Sequence, residues 1–487
     1  MTPGVEFQGM ITGSEMAVVD ANAEALGVPR KQLMESSGNA IARVVRETAE
    51  SGDRVTVVAG RGNNGGDAFV AARFLDDFDV RVRLLGRAET ITTDIARENW
   101  EALTAGEYDT AEIRDSTGVD LDDPDVVVDA MLGTGISGGL REPEATAAAA
   151  IKESSATVVS VDVPSGLDAE SGDLAANSVE PDHVVTFHEA KPGLEDLDAT
   201  VTVADIGIPD AARAFVGPGD LLRVDREPDS HKGDHGEILV IGGGPYTGAP
   251  ALTAQAALRA GADLVKVTCP TSVAHEVQGY SENLILYPVQ GRRFLPGHVG
   301  PVMEYAAEHD VLVIGPGLGD SEDTLEAVEA IIEAFDGTAV VDADALQVVP
   351  GLDTEATLIC TPHQGELVDM GGRTSDDWRE RRDLVAEFAG TLDHTLLVKG
   401  RYDVVSTGDR TRINRTGNAG MTVGGTGDVL AGVTAALAAT QEPFHAAGLG
   451  AFVAGRAGDV VADRYGNGLV ATDLPDAVPE AMDASPD

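Results

Sequence analysis

Three polar, glycine-containing segments in the first half of the chain each follow an apolar, strand-like run. They are RGNNGGDAF at residues 61–69, VVDAMLGTGISG at 127–138 and VDVPSGLDA at 161–169. Backbone amides around Gly65 and Gly66, at the start of a helix, are placed to bind a phosphate group. A plain strand-to-helix turn is the alternative for this segment alone, since Asn and Gly favour turns. Three such loops favour a ligand site, because open α/β sheets bind ligands at the carboxyl ends of their strands.

Two carboxylates, Asp129 and Asp162, end apolar runs within these segments. A carboxylate in that position is costly to bury unless it meets a cation, a hydrogen-bond donor or a substrate. Together with Asn64 and Ser165, Asp129 offers hard oxygen ligands, which suit a main-group cation and not zinc.

The second half contains a glycine-rich turn that leads directly into an alanine-rich helix, GNAGMTVGGTGDVLAG at residues 417–432. Its backbone amides would point at one spot at the helix N-terminus and bind an anion there. Such an anion hole stabilises charge that develops on a transferred phosphoryl group. Asp428 would lie beside it as a base for a hydroxyl group. The alternative role for Asp428 is an acid that only stabilises the helix N-terminus.

A lysine at the end of an apolar strand also indicates phosphate chemistry. Lysine is scarce in this chain, and Lys399 follows the apolar run LLV. A phosphate partner would explain it, although a lysine that extends from a strand end to solvent is the alternative.

Short β-branched runs alternate with helical patterns in both halves, which predicts two α/β domains with mainly parallel sheets flanked by helices. The pattern is interrupted at residues 217–236, and we place the boundary there, giving domains 1–220 and 221–487. Predicted strands are 54–59, 80–85, 126–131, 157–163, 183–187 and 201–206, then 237–241, 311–314, 339–342, 358–360 and 396–398. Predicted helices of the second half are 249–262, 427–438 and 446–463.

The net charge of −48 is spread along the whole chain. This distribution favours an acidic surface adapted to high salt over an acidic interaction tail, and it argues against nucleic acid and anionic membranes as partners. No apolar run is long enough to span a bilayer and no signal pattern is present, so we expect a cytoplasmic protein. Cys269 and Cys360 lie in apolar runs and are expected to be buried thiols.

The first half resembles the N-terminal domain of the YjeF family, the NAD(P)H-hydrate epimerases, over about residues 10–210. The three loops carry the resemblance, together with LMESSG at 33–38. It implies a Rossmann-like fold, a K⁺ site at Asn64, Asp129 and Ser165, and Asp162 as the acid/base at C6 of a hydrated nicotinamide ring. The implied substrate-binding residues are Asn63, Asn64, Gly65, Gly66, Asp67, Gly133, Thr134, Gly135, Ile136, Ser137, Gly138, Gly139 and Asp162.

The second half resembles the ribokinase-like C-terminal dehydratases of the same family, over about residues 228–475. GGTGD carries this resemblance, with GGGPYTGAP at 242–250, GPGLG at 315–319, VDADAL at 341–346, TPHQGEL at 361–367 and LLVKG at 396–400. It implies Asp428 as catalytic base, and ADP with Mg²⁺ as phosphoryl donor. Implied substrate-binding residues are Ala249, Gly317, His363 and Asp428. Implied nucleotide-binding residues are Lys399, Gly400, Arg401, Tyr402, Asp403, Gly424, Gly425, Thr426 and Gly427.

The two resemblances together predict an enzyme that repairs the hydrates of NADH and NADPH. The first domain would interconvert the R and S epimers, and the second would dehydrate the S epimer with ADP, giving AMP and phosphate. A kinase of a small alcohol and a non-catalytic sensor of the dinucleotide are the alternatives. The pairing argues against the kinase, because such a kinase has no use for an epimerase. We expect a homo-oligomer.

Overall fold

A computed structural model of the protein describes residues 9–135, 138–224, 226 and 228–483. The chain forms two compact units, Met1–Ala212 and Arg213–Asp487. This division falls before the boundary predicted at residue 220, because Val216 donates a backbone hydrogen bond to Ile413 and Asp220 pairs with Arg412. The assignment of one activity each to residues 1–220 and 221–487 remains a prediction.

The first unit is a parallel sheet of seven strands in the order β3-β2-β1-β4-β5-β6-β7. The strand order reverses between β1 and β4, which is where an open sheet leaves a crevice at its carboxyl edge. Its elements are α1 (Gly13–Ala25), α2 (Arg30–Thr48), β1 (Arg54–Ala59), α3 (Asn63–Phe74), β2 (Asp79–Leu85), α4 (Asp94–Ala105), β3 (Asp109–Ile113), β4 (Val126–Ala130), α5 (Glu144–Glu153), β5 (Thr157–Val161), β6 (His183–Phe187), β7 (Thr200–Ala204) and α6 (Asp210–Ala214).

All six strands predicted for this unit are present, because their apolar residues are buried between helices. The strands around 126–131 and 157–163 end earlier than predicted, at Ala130 and Val161, so Asp162 lies in the loop. Strand β3 was not predicted. Its sequence DTAEI is polar and half exposed, as an edge strand tolerates.

The second unit is a sheet of nine strands in the order β10-β9-β8-β11-β12-β13-β14-β15-β16. It is parallel as far as β14, and β15 and β16 are antiparallel. Its elements are β8 (Glu237–Ile241), α7 (Gly248–Arg259), β9 (Leu264–Thr268), α8 (Ala274–Gln278), β10 (Ile285–Leu286), α9 (Val299–Ala306), β11 (Val311–Ile314), α10 (Glu322–Ala334), β12 (Thr338–Val341), β13 (Thr357–Cys360), α11 (Gln364–Asp369), α12 (Trp378–Leu392), β14 (Thr395–Val398), β15 (Asp403–Ser406), β16 (Thr411–Asn414), α13 (Thr426–Ala438), α14 (Pro443–Tyr465) and α15 (Leu474–Ala481).

The predicted fold class is confirmed, since both units are mainly parallel sheets flanked by helices. Cys269 and Cys360 are fully buried, as predicted, and burial raises the pKa of these thiols to about 11 and about 12. Among the described helices, none combines the length and the apolar character needed to cross a membrane.

Candidate active sites

A cavity of about 830 Å³ opens at the carboxyl edge of the first sheet. Loops after β1, β4 and β5 form one side of it, and α1 and α2 form another. Gly38 lets α2 approach α3, because a Cβ there would lie 2.4 Å from the Cβ of Val70. The predicted residues that line the cavity are Asn63, Asn64, Asp67, Gly133, Thr134, Gly135 and Asp162.

Asp162 is held in an unusual position at the end of β5. Its φ of +63° lies in the left-handed region, which is uncommon for a residue with a side chain. Oδ1 of Asp162 accepts a hydrogen bond from Thr186 Oγ1 at 3.1 Å and lies 2.9 Å from Lys191 Nζ. Lys191 is 1% exposed, so this ion pair forms in a dry environment and fixes the carboxylate at the cavity wall.

Two further carboxyl groups, Asp20 and Asp67, line the same cavity. Burial raises the pKa of Asp20 to about 6, although Arg30 and Lys191 act to lower it. Burial also raises the pKa of Asp67 well above its usual range, and the negative charges of Asp162 and Asp20 add to that effect. The cavity therefore holds two carboxyl groups with raised pKa values, a common feature of acid–base sites.

Asp129 lies behind the cavity and is 0% exposed. Its oxygens accept hydrogen bonds from Ser165 Oγ at 2.6 Å, Ser165 N at 2.9 Å and Ser160 Oγ at 2.9 Å. Burial nevertheless raises its pKa. Leu132, next to it, accepts from Asn64 Nδ2 at 2.9 Å and donates to Ser165 Oγ at 3.1 Å. The three predicted ligands thus lie in one hydrogen-bonded group.

The other predicted residues that the structure describes in this unit do not line the cavity. A Cβ on Gly65 would lie 2.2 Å from the carbonyl of Gly60, and one on Gly66 would lie 2.8 Å from Met34 Cε. These two glycines therefore allow α3 to pack closely. Of the residues described, Gly138 and Gly139 lie beyond the lining. Ile136 and Ser137 are outside the described residues.

A second cavity, of about 820 Å³, lies in the second unit beside the glycine-rich turn before α13. Helix α14 closes one side of it through Ala451, Ala454 and Gly455. The predicted residues that line it are His363, Lys399, Gly400, Arg401, Asp403, Thr426 and Gly427.

Lys399 is the centre of a charged group beside this cavity. Its ammonium lies 2.9 Å from Asp342 Oδ1 and 3.8 Å from Glu366 Oε2. Asp342 is 3% exposed and also accepts a hydrogen bond from Thr361 Oγ1 at 2.7 Å. Despite its burial, the pKa of Lys399 is raised, because Asp342, Glu366 and Asp428 favour its charged form.

Asp428 lies in the first turn of α13, at the predicted anion hole. Burial raises its pKa to about 7, with Asp342 adding to the shift and Lys399 opposing it. Gly425 begins the helix at φ +99°, a conformation that favours glycine. A carboxyl group that titrates near neutral pH beside a helix N-terminus is suited to accept a proton from a hydroxyl group.

The predicted substrate positions Ala249 and Gly317 do not line the 820 Å³ cavity, but the two residues lie close to each other. Gly317 has φ +72°, and a Cβ there would lie 3.4 Å from the Cβ of Ala249. Helices α7 and α13 run side by side in the same direction, since Gly425 lies against Leu252 and Gly432 against Ala256. Ala249 and Asp428 therefore occupy the same end of this helix pair.

Three predicted residues of the second unit have visible structural roles. Nδ1 of His363 caps α11 by accepting from Glu366 N at 3.0 Å. Asp403 accepts from Gly400 N and from Asn414 Nδ2, each at 2.8 Å, and burial raises its pKa to about 6. The ring of Tyr402 stacks on Trp378 with 5.3 Å between centroids. Gly424, Gly425 and Asp428 adjoin the cavity without lining it.

Sequence reasoning missed the partners of the key charged groups. Lys191, Asp342 and Glu366 were not predicted as site residues, although each was visible in the sequence. Lys191 is one of few lysines, Asp342 follows an apolar run as Asp129 does, and Glu366 lies in the TPHQGEL segment. The scarcity of lysine, applied to Lys191 as it was to Lys399, would have identified the first of them.

Two family models match the chain. The model of the YjeF-related protein N-terminus matches residues 30–193, and that of NAD(P)H-hydrate dehydratase matches residues 238–480. The first range contains most of the residues that line the first cavity, and the second range contains those that line the second.

Similar proteins match nearly the whole chain. A bifunctional NAD(P)H-hydrate repair enzyme of Methanothermobacter thermautotrophicus is 43% identical, over 99% of this chain and 99% of its own. One of Archaeoglobus fulgidus is 42% identical, over 97% of this chain and 98% of its own. Among solved structures, the ADP/ATP-dependent NAD(P)H-hydrate dehydratase of Bacillus subtilis is 24% identical, over 55% of this chain and 96% of its own, with a TM-score of 0.48.

Proposed function

The chain belongs to the family of bifunctional NAD(P)H-hydrate repair enzymes, and we propose that each unit performs one of the two repair steps. The first unit epimerises the R and S hydrates of NADH and NADPH, and the second dehydrates the S epimer at the expense of a nucleotide. One observation carries this proposal: each unit has a cavity with an aspartate and a lysine next to each other, Asp162 and Lys191 lining the first, and Lys399 lining the second with Asp428 beside it.

In the first unit, we propose that the hydrated nicotinamide ring enters the cavity with C6 next to Asp162. The loop amides near Asn63 and Gly133 lie where they can contact the rest of the dinucleotide. Asp162 exchanges a proton with the hydroxyl group on C6. Lys191 and Thr186 hold Oδ1 of that carboxylate, which leaves Oδ2 to face the substrate.

We also propose a K⁺ site at Asn64, Asp129 and Ser165. The donor set fits the ion, because a buried carboxylate and neutral oxygens suit a weakly hydrated main-group cation. K⁺ would supply a positive charge that offsets buried Asp129 and orders the loops after β4 and β5. Within the described ranges, no three His, Cys, Asp or Glu side chains form a metal-binding group.

In the second unit, we propose that ADP occupies the 820 Å³ cavity, with its phosphates near Lys399 and the anion hole at Gly424 to Gly427. Mg²⁺ would enter on the nucleotide phosphates, which it binds while keeping several waters. Asp428 removes the proton from the ring hydroxyl as the hydroxyl oxygen attacks the terminal phosphorus atom. The amides of the turn stabilise the charge that develops there.

Cleavage of the C6–O bond then releases phosphate, and loss of a proton from C5 to phosphate or solvent restores the double bond of the ring. Phosphate leaves far more readily than hydroxide, which is the chemical reason to use a nucleotide for a dehydration. A site that places the hydroxyl group of C6 against Asp428 accepts only one epimer. The first unit converts the other epimer, which would otherwise accumulate. We propose ADP as the donor and a cytoplasmic, homo-oligomeric enzyme.

The experiment that tests this function follows absorbance at 340 nm after the enzyme is added to a mixture of R and S NADH hydrates in concentrated KCl with Mg²⁺. ADP, ATP or no nucleotide is supplied in parallel. We expect recovery of NADH beyond the S fraction with ADP. A stable phosphorylated product would instead indicate a kinase, and binding without turnover by folded protein would indicate a sensor.

A further inference from the structure

The cavity of the first unit holds a carboxyl group that no described residue pairs with. Asp67 lies on the first turns of α3 and lines the cavity with Asp162. Burial and the charges of Asp162 and Asp20 act on it, but no described side chain donates a hydrogen bond to it or forms an ion pair with it. A half-buried carboxyl group without a donor is costly to keep ionised, so it favours the protonated state.

Asp162, in the loop after β5, has a different environment. Its Oδ1 lies 2.9 Å from the ammonium of Lys191 and accepts a hydrogen bond from Thr186 Oγ1 at 3.1 Å. The cavity thus contains two carboxyl groups in contrasting surroundings, since Asp162 has two donors and Asp67, on α3, has none among the described residues.

Lys191 itself is not available as an acid for the substrate. Besides Asp162, its ammonium donates to the carbonyls of Phe187 at 3.1 Å and Glu189 at 3.3 Å. An ammonium has three donors, and all three are used within the protein. The proton that a leaving hydroxyl group needs must come from another residue.

We propose that Asp67 is a second catalytic carboxyl group of the first unit, which protonates the hydroxyl group on one face of the ring while Asp162 acts on the other. This inference rests on the epimerase function proposed above.

In this step, the two carboxyl groups together invert the configuration at C6. Asp67 gives its proton to the hydroxyl oxygen on C6, the C6–O bond breaks, and water leaves as the lone pair of the ring nitrogen forms a C=N bond. A solvent water adds to C6 from the other face as Asp162 takes its proton and the electrons of the C=N bond return to nitrogen. The inversion leaves Asp67 ionised and Asp162 protonated, which is the state that catalyses the reverse direction.

Asp67→Asn tests the proposal, because it keeps the shape of the side chain and removes the acid. The full-length enzyme is given pure S hydrate without nucleotide, and the R hydrate formed is measured by chromatography. We expect kcat for epimerisation to fall about 100-fold or more, the range for loss of an acid–base group, with KM changed by less than about threefold. If KM rises and kcat is kept, Asp67 only binds substrate and the proposal is wrong.

Two controls accompany this variant. Dehydration of the S hydrate with ADP, in the same chain, should be unchanged and shows that the protein is folded. Asp76→Asn removes an exposed carboxylate just after the same helix and should leave epimerisation unchanged. If Asp20→Asn abolished turnover while Asp67→Asn did not, Asp20 would be the acid instead.

Oxygen exchange gives an independent readout. In water enriched in ¹⁸O, the wild-type enzyme should place one solvent oxygen on C6 for each inversion, above the rate without enzyme. Inversion with retention of the original oxygen would overturn the proposal. Absence of any epimerisation by the wild-type enzyme would instead refute the proposed function, so the two failures are distinguishable.

Discussion

Lys399 Nζ lies 2.9 Å from Asp342 Oδ1, and Lys399 lines the second cavity beside the glycine-rich turn. A side chain at Gly427 would meet the same ammonium at 3.4 Å. The pair acts on Asp428 in opposite directions, since Asp342 raises its pKa and Lys399 lowers it. Burial raises the pKa of the proposed base most, and these two neighbours adjust it in opposite directions.

The first prediction concerns the pH dependence of dehydration. Asp428 must be ionised to accept a proton, and its pKa is raised to about 7. Activity should therefore be lost as pH falls through about 7 and be fully present above it. The measurement is kcat/KM for S hydrate with saturating ADP between pH 5 and 9. Asp428→Asn should lower kcat about 10²- to 10⁴-fold and remove this dependence; a folded variant with full activity would exclude Asp428 as the base.

The second prediction separates the two neighbours. Asp342→Asn removes the negative charge that raises the pKa of Asp428, so the acid limb of the profile should move to lower pH. Lys399→Met removes the opposing positive charge, so the limb should move to higher pH, together with weaker ADP binding. Epimerisation by the same chains serves as the control for folding. If both substitutions moved the acid limb in the same direction, burial and not the ion pair of Asp342 with Lys399 would control the pKa of Asp428.

The third prediction concerns the loop around Gly317. Its φ of +72° and a contact of 2.5 Å between an added Cβ and the carbonyl of Tyr246 leave no room for a side chain. Gly317→Ala should lower stability by about 1–3 kcal/mol and reduce dehydration, because it displaces the loop facing Ala249. Gly300→Ala, where an added Cβ meets nothing within 4 Å, is the matched control. Thermal unfolding and both activities are measured, and equal behaviour of the two variants would contradict the prediction.

Much of the fold follows from the sequence, because buried parallel strands are continuous apolar runs that stand out from their helices. Strands β15 and β16, with sequences DVVS and TRIN, lack that pattern and depend on antiparallel pairing, of β15 with β14 and of β16 with β15. For a related reason, the sequence predicted some residues of the two sites and missed others. Asp162 and Asp428 lie within glycine-rich segments, whereas Lys191 gains its position from carbonyls of Phe187 and Glu189, which only the folded chain supplies.

The fourth prediction tests the proposed K⁺ site through a difference between salts. Epimerisation by the wild-type protein should be faster in KCl than in NaCl at equal ionic strength, because the proposed oxygen ligands, one carboxylate and two neutral groups, suit the weakly hydrated K⁺ ion. Asp129→Asn removes the only carboxylate among the three proposed ligands, so both salts should then give the same low rate. Dehydration, measured in parallel, should not discriminate between the salts. Equal rates for the wild type in the two salts would refute the site.

The fifth prediction follows from the net charge of −48, which is distributed along the chain and not confined to a tail. At low salt these charges repel one another over long distances, whereas about 1 M salt reduces the screening length to about 3 Å. We expect the circular dichroism signal of helix to be lost on dialysis to low salt and restored by salt. Choline chloride should stabilise nearly as well as KCl if general screening is the cause. An unchanged spectrum at low salt would contradict adaptation to high salt, and stabilisation by KCl alone would point to specific ion binding instead.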